Sequence, residues 1–228
     1  MSKKHVVVLS GAGVSAESGL KTFRDSDGLW NGYNVYEVAT PGGWQKNPQL
    51  VLDFYNDRRR DIAAAQPNAA HIGLAELEQD FDVSIITQNI DDLHERAGSN
   101  HVVHLHGEIF KMRSVADTNT IYEIRGDIKI GDKAADGAQL RPYIVWFEEE
   151  VPMIEKAVMI LQDADYFVVI GTSLQVYPAA SLIHYASPFL PVFIIDTKNP
   201  TVNNHANLTV IEMPATEGVK ELRKFLTH

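Results

Sequence analysis

The chain has 228 residues, 45% of them hydrophobic and 22% charged. That is enough for one full core with a smaller appended module, and it excludes disordered, collagen-like and coiled-coil chains. Its 20 basic residues face 30 acidic ones, a net charge of -10, so the footprint of a nucleic-acid binder is missing and no DNA or RNA partner is expected. No cysteine is present, which excludes disulfides, thiolate catalysis and cysteine-ligated zinc. No apolar run reaches the roughly 18 to 20 residues of a membrane span, and the stretch before the first strand lacks a cleavable signal pattern; no membrane partner and a cytoplasmic location are expected.

In chain order, the apolar run at 6–9 reads as a buried strand. It leads into Gly11-Ala12-Gly13-Val14-Ser15-Ala16, a G-x-G-x-x-[G/A] match set between a strand and a short helical turn. Small residues there let backbone N–H groups approach a phosphate, so a dinucleotide is the natural ligand; a tight turn that simply needs glycine would show the same letters. An ordinary dehydrogenase would next supply a second strand ending in a ribose-binding acid. Instead Phe23, Arg24 and Asp25 fall in a loop leading to Trp30, read as a lid over the nucleotide. The stretch 30–65 is polar and aromatic and ends in a helix from about residue 48. A helix follows at 69–77, opened by Gln66-Pro67-Asn68, then strands at 83–87 and 102–105. The stretch 108–141 is rich in charge, Gly and Asp, with strand-like pieces at 120–124 and 128–130. Further on come a helix at 153–161 behind Pro152, a strand at 166–171, a helix at 179–185 behind Pro178, strands at 192–195 and 208–211, and a closing helix at 217–226.

The strand runs are β-branched and continuous, and helices alternate with them. This predicts an α/β fold, a Rossmann-like doubly wound parallel sheet covered on both faces. Residues 1–30, 66–107 and 143–228 are assigned to that domain, and two insertions, 31–65 and 108–142, to a small module over its ligand edge. Three stretches stand where such sheets bind ligands, at strand C-termini. In the first, Gln88-Asn89-Ile90-Asp91, Asn89 and Asp91 present an amide and a carboxylate to a ligand, or N-cap the helix before Leu93. In the second, His106 lies just past a strand end and is a candidate general base; His101, His104 and His106 fit no common zinc spacing, and no metal is expected. The third, Gly171-Thr172-Ser173, repeats the logic of the first loop and is expected to meet a ribose or phosphate.

The strings GAGVSAESG, TFRDSDGLW, TQNIDDLHERAG, HLHGE and GTSLQVYPAA, in this order, resemble the sirtuins, NAD-dependent protein deacylases, over almost the whole chain. The resemblance implies NAD as cofactor and acyl-lysine peptides and proteins as partners. It implies that the acyl oxygen displaces nicotinamide, that His106 deprotonates a ribose hydroxyl, and that Asn89 and Asp91 hold the carboxamide, giving free lysine, nicotinamide and O-acyl-ADP-ribose. The peptide is implied to add as a strand near Val145-Trp146-Phe147 and the loop that ends at Val176. Tyr55 and Arg58, three apart on a helix and so on one face, resemble the acyl-tip pair of the desuccinylase class. They imply a preference for succinyl or malonyl over acetyl, unless 58–60 is a solvated basic face. Three departures stand out: the usual four zinc cysteines are missing, Glu148 replaces the usual glycine after Val145-Trp146-Phe147, and Asp196 stands where asparagine commonly faces the adenosine ribose. The missing zinc is expected to be offset by Ile121, Tyr122, Ile124, Ile128 and Ile130 packed as a hairpin. Other readings are a protein mono-ADP-ribosyltransferase, a catalytically silent NAD or ADP-ribose binding module, and an ordinary hydride-transfer oxidoreductase, which the missing ribose-binding acid disfavours.

Overall fold

The structure, a computed structural model, describes residues 2–21, 23–24, 29–30, 32–198 and 206–227, with the side chains of Phe23, Arg24 and Leu29 outside that description. In chain order the elements are β1 (His5–Ser10), α1 (Gly13–Ala16), β2 (Phe23–Arg24), β3 (Leu29–Trp30), β4 (Tyr33–Asn34), α2 (Val35–Val38), α3 (Pro41–Lys46), α4 (Pro48–Ala64) and α5 (Ala69–Glu76). There follow β5 (Asp82–Thr87), α6 (Leu93–Ala97), β6 (Val102–His104), β7 (Gly107–Ser114), β8 (Ile121–Glu123) and β9 (Leu140–Ile144). The last part holds α7 (Ile154–Gln162), β10 (Tyr166–Ile170), a 3-10 helix (Ala179–Tyr185), β11 (Val192–Asp196), β12 (Leu208–Glu212) and α8 (Ala215–Thr227).

Six strands pair in parallel in the order β12-β11-β10-β1-β5-β6. The chain therefore winds outward from β1 in one direction, then restarts at β10 and winds the other way. The reversal point lies between β1 and β10, where open α/β sheets bind their ligands. The central strands are sealed on both faces, which is why their sequences are uninterrupted β-branched runs. Val6, Val8, Val168 and Ile195 face α5 and α8, while Val7, Leu9, Val169 and Ile194 face α7 and the 3-10 helix.

Two small antiparallel sheets lie outside this frame, β2-β3-β4 and β8-β7-β9. Helix α4 joins them to the rest through a third core, in which Phe54, Tyr55 and Ile62 meet Ile109, Phe110 and Trp146. The expected strand at 128–130 does not form. Asn56 on α4 takes both backbone groups of Ile128, donating to its carbonyl at 2.9 Å and accepting from its N–H at 3.0 Å. With its hydrogen bonds used that way, Ile128 cannot join a ladder; it packs into a small core with Leu52 and Leu140, while Ile121 and Ile130 stay exposed. The expected hairpin is thus replaced by β8 pairing with β7 and by a loop tied to α4. Arg59, fully buried, adds to this tie by donating to the carbonyls of Ile109 (2.8 Å) and Gly126 (3.2 Å).

A second polar knot fastens β9. The Arg141 guanidinium stacks on the Trp146 ring, 3.1 Å from its centroid, and bonds Glu149 at 2.7 Å and the Ile144 carbonyl at 2.8 Å. Glu149 in turn accepts the Trp146 backbone N–H at 2.8 Å, and Arg113 stands 3.7 Å from it.

Candidate active site

The glycines of the first loop are required by a close approach of backbone to backbone. A Cβ on Gly11 would sit 2.6 Å from Thr172 Cβ, and one on Gly13 would sit 2.7 Å from Gly171 Cα. The Gly13 N–H donates to the Gly171 carbonyl at 2.8 Å, and Gly171 itself holds φ +62°. The loops after β1 and β10 thus form one cradle at the reversal point. Helix α1 behind it is a single turn. The cradle is built of backbone and small side chains, the surface a dinucleotide needs for close contact with its phosphates.

A cavity of about 340 Å³ opens from the cradle. Its walls include Gly11, Ala12, Gly13, Ser15, Trp30, Gln88, Asn89, Ile90, Asp91, His106, Gly171, Thr172 and Ser173. Tyr55, Arg58, Val145, Trp146, Phe147 and Val176 line it as well. The structure therefore gathers nearly all the expected site residues from seven separate stretches of chain. Ala16 is exposed and Asp196 ends β11, where it accepts from the Lys198 N–H at 3.0 Å; neither lines the cavity. The lid expected at Phe23, Arg24 and Asp25 lies outside the described side chains. Leu20, Lys21, Ala39, Glu149 and Tyr177 also line the cavity, although nothing in their local spacing pointed there. Glu148, at φ +73°, holds a backbone conformation that favours the glycine it replaces, and it too faces the cavity.

Ser15 organises the polar wall. It accepts from the Asn89 amide at 3.1 Å and donates to Asp91 at 3.0 Å, while the other Asp91 oxygen accepts the Leu93 N–H at 3.2 Å. Asp91 thus bonds the first N–H of α6, whose N-cap is Asp92, and also lines the cavity. Burial raises the Asp91 carboxyl pKa, with the Leu93 and Ser15 bonds opposing. His106 Nδ1 lies 3.0 Å from the Gln88 carbonyl. A carbonyl only accepts, so Nδ1 carries the proton and Nε2 is left as a base. Burial lowers the His106 pKa against the pull of that carbonyl, which keeps the ring neutral at pH 7.

Also on the cavity wall, Tyr55 is wholly buried and no acceptor takes its hydroxyl proton; the Arg58 Nε is likewise buried and unpaired. The guanidinium sits 5.6 Å from the Trp30 ring centroid. Burial pulls the Arg58 pKa down, with Asp61 and Asp91 opposing, and burial holds the Tyr55 phenol far above its usual range, so it remains a donor. Arg58 and Arg59 are thus buried and only Arg60 is solvated, which rules out a basic face across all three. Among the described residues no cluster of three His, Asp or Glu is gathered to hold a metal. The small module is held by the Arg141 and Arg59 networks.

A parallel sheet with a glycine cradle at its reversal point and a neutral imidazole base beside it defines a dinucleotide-using enzyme. Comparison with known proteins gives the family. The Sir2 family model matches residues 11–178. A Helicobacter pylori protein named NAD-dependent protein deacylase is 52% identical over 219 residues, 96% of this chain and 96% of that protein. A solved Sir2 homolog–NAD complex superposes with a TM-score of 0.83 at 39% identity, covering 98% of this chain and 91% of that one. A Sir2 bound to acetylated peptide superposes with a TM-score of 0.80 at 28% identity, covering 99% and 94%. The chain belongs to the Sir2 family, and it is an enzyme that uses NAD.

Proposed function

We propose that this NAD-dependent protein deacylase acts preferentially on lysines whose acyl group ends in a carboxylate, succinyl or malonyl, and more slowly on acetyl-lysine. The observation that supports the preference is the pair of unsatisfied donors, the Tyr55 hydroxyl and the Arg58 Nε, buried on the cavity wall. Buried donors without acceptors are costly, and a ligand carboxylate would satisfy them with charge-assisted bonds that an acetyl methyl cannot form.

When bound, NAD supplies an electrophilic ribose carbon whose bond to nicotinamide breaks as the acyl oxygen attacks. Asn89 and Asp91 hold the carboxamide and fix the plane of the leaving ring. His106 Nε2 takes the proton of a ribose hydroxyl, and its Nδ1–H bond to Gln88 keeps the ring turned to do so. The cradle at Gly11 to Ser15 and Gly171 to Ser173 holds the phosphates and ribose, and Trp30 covers the nucleotide. Val145, Phe147 and Val176 flank the acyl-lysine, and Trp146 anchors that segment from its buried side.

The test is mass spectrometry of matched acetyl-lysine and succinyl-lysine peptides incubated with NAD. Desuccinylation is expected to dominate and to yield O-succinyl-ADP-ribose. Arg58→Met is expected to lower kcat/KM for the succinyl peptide about 30-fold, the worth of a charged hydrogen bond of about 2 kcal/mol, and leave the acetyl rate nearly unchanged. Equal loss on both peptides would refute the carboxylate socket. Protein gaining ADP-ribose mass with no deacylation would make the chain a transferase.

A further inference from the structure

The segment that carries Asn89 and Asp91 has every one of its carbonyls from Thr87 to Ile90 taken by the strand pair beside it. Thr87 O accepts the Leu105 N–H at 2.9 Å, Gln88 O the His106 ring at 3.0 Å, Asn89 O the His104 ring at 3.0 Å, and Ile90 O the Ile109 N–H at 2.9 Å. Two of these four bonds come from histidine rings, His104 at the end of β6 and His106 two residues on, in the turn before β7. The His106 bond belongs to the base described above. The His104 ring does not line the cavity, yet its side chain is only 7% exposed and its second nitrogen lies 2.7 Å from the Glu95 carboxylate. A ring held between a carbonyl and a carboxylate, both pure acceptors, needs an N–H on each nitrogen.

We propose that His104, braced by Glu95, is a positioning residue for the nicotinamide site: it fixes the Asn89 carbonyl and so aims the Asn89 amide and the Asp91 carboxylate. The inference rests on the reading of Asn89 and Asp91 as carboxamide ligands. The titratable groups around the ring are Glu95 and His94 on α6, Asp91 on the loop after β5, and on β7 Glu108 with its partner Lys111. Burial opposes charging of the ring, but the Glu95 bond and the Asn89 carbonyl outweigh it and raise the His104 pKa above its ordinary value. Below that pKa both bonds are made. Above it the ring has one N–H, and a lone pair must face either the Asn89 carbonyl or the Glu95 carboxylate.

The effect should therefore appear as a loss of NAD affinity on the alkaline side of His104. In Glu95→Gln the side-chain amide can donate to the neutral ring, which then keeps its bond to Asn89, and the alkaline limb should vanish. The experiment measures nicotinamide inhibition, KM for NAD and ADP-ribose affinity for His104→Ala, Glu95→Gln and Asn89→Ala, with the pH dependence of KM for the first two. The expected result is a tenfold or greater weakening of nicotinamide inhibition and rise in KM for His104→Ala, with ADP-ribose affinity within twofold of the parent, and a lost alkaline limb in Glu95→Gln. ADP-ribose affinity falling in parallel, or an alkaline limb unchanged in Glu95→Gln, would overturn the positioning role. Nicotinamide inhibition unchanged in His104→Ala but weakened in Asn89→Ala would overturn it while leaving the ligand reading intact. No change even in Asn89→Ala would overturn both. Glu95 is 40% exposed, so Glu95→Gln serves as the folded control if His104→Ala does not fold.

Discussion

At the scale of single residues, the partners a polar atom has, or lacks, decide what it can do in the site. His106 gives its Nδ1 proton to Gln88 and keeps Nε2 free, and burial lowers its pKa. A base with a depressed pKa stays unprotonated further into acid, so the acid limb of kcat/KM should have its midpoint below the ordinary imidazole value of about 6.5. Initial rates from pH 5 to 8 check this, and a midpoint above 6.5 would contradict the neutral, buried base. His106→Ala should abolish turnover while ADP-ribose still binds, as read by calorimetry. Much of this was legible in the sequence, because His106, Asn89 and the glycines stand at strand ends where chemistry is expected. The burial of Tyr55 and Arg58 was not, since a helix position three from another tells which face it shares but not what covers that face. The pairing of His104 with Glu95 spans two elements, and no spacing rule connects them.

At the scale of elements, the small module is held together by buried charge. Arg141, Glu149 and Arg113 join β7, β9 and the segment after it, and Arg59 with Asn56 ties α4 to the loop at 124–128. Breaking a buried ion pair from one side leaves a charge without compensation. Glu149→Ala should therefore cost about 3 kcal/mol, read as a shift in urea midpoint, and should also weaken peptide binding because the Trp146 N–H loses its acceptor. A chelator should leave both melting temperature and turnover unchanged; a fall in either would reveal a metal. The continuous apolar strands of the large sheet were readable because burial on two faces admits little else. The piece at 128–130 was misread because alternating isoleucines satisfy a strand pattern, while the competitor for its backbone was an asparagine side chain 72 residues earlier.

At the scale of the whole molecule, the interior beneath the cofactor wall is polar and sensitive to acid. His71 and His94 meet edge to face with ring centroids 4.9 Å apart, both fully buried. Burial lowers the His71 pKa to about 4 and pushes His94 well below its ordinary value. Between pH 6.5 and 4 the unfolded chain takes up protons that the folded one refuses, so the folding free energy is fully present above 6.5 and declines as pH falls. For His71 the loss approaches about 3 kcal/mol by pH 4, His94 adds in the same direction, and the raised Asp91 pKa partly opposes it at the lowest pH. Urea midpoints at pH 7.5 and 5 measure this; equal values would show that the two rings are charged in the folded protein.

The glycine cradle carries a consequence for how the chain is made. Its two halves, at Gly11 and Gly171, meet only after β10 has docked against β1. On the ribosome, the fingerprint that emerges first is therefore an unfinished half-site for most of synthesis. A nascent chain cannot hold its nucleotide until residue 173 has cleared the exit tunnel, so the same contact that builds the binding site also times its first appearance.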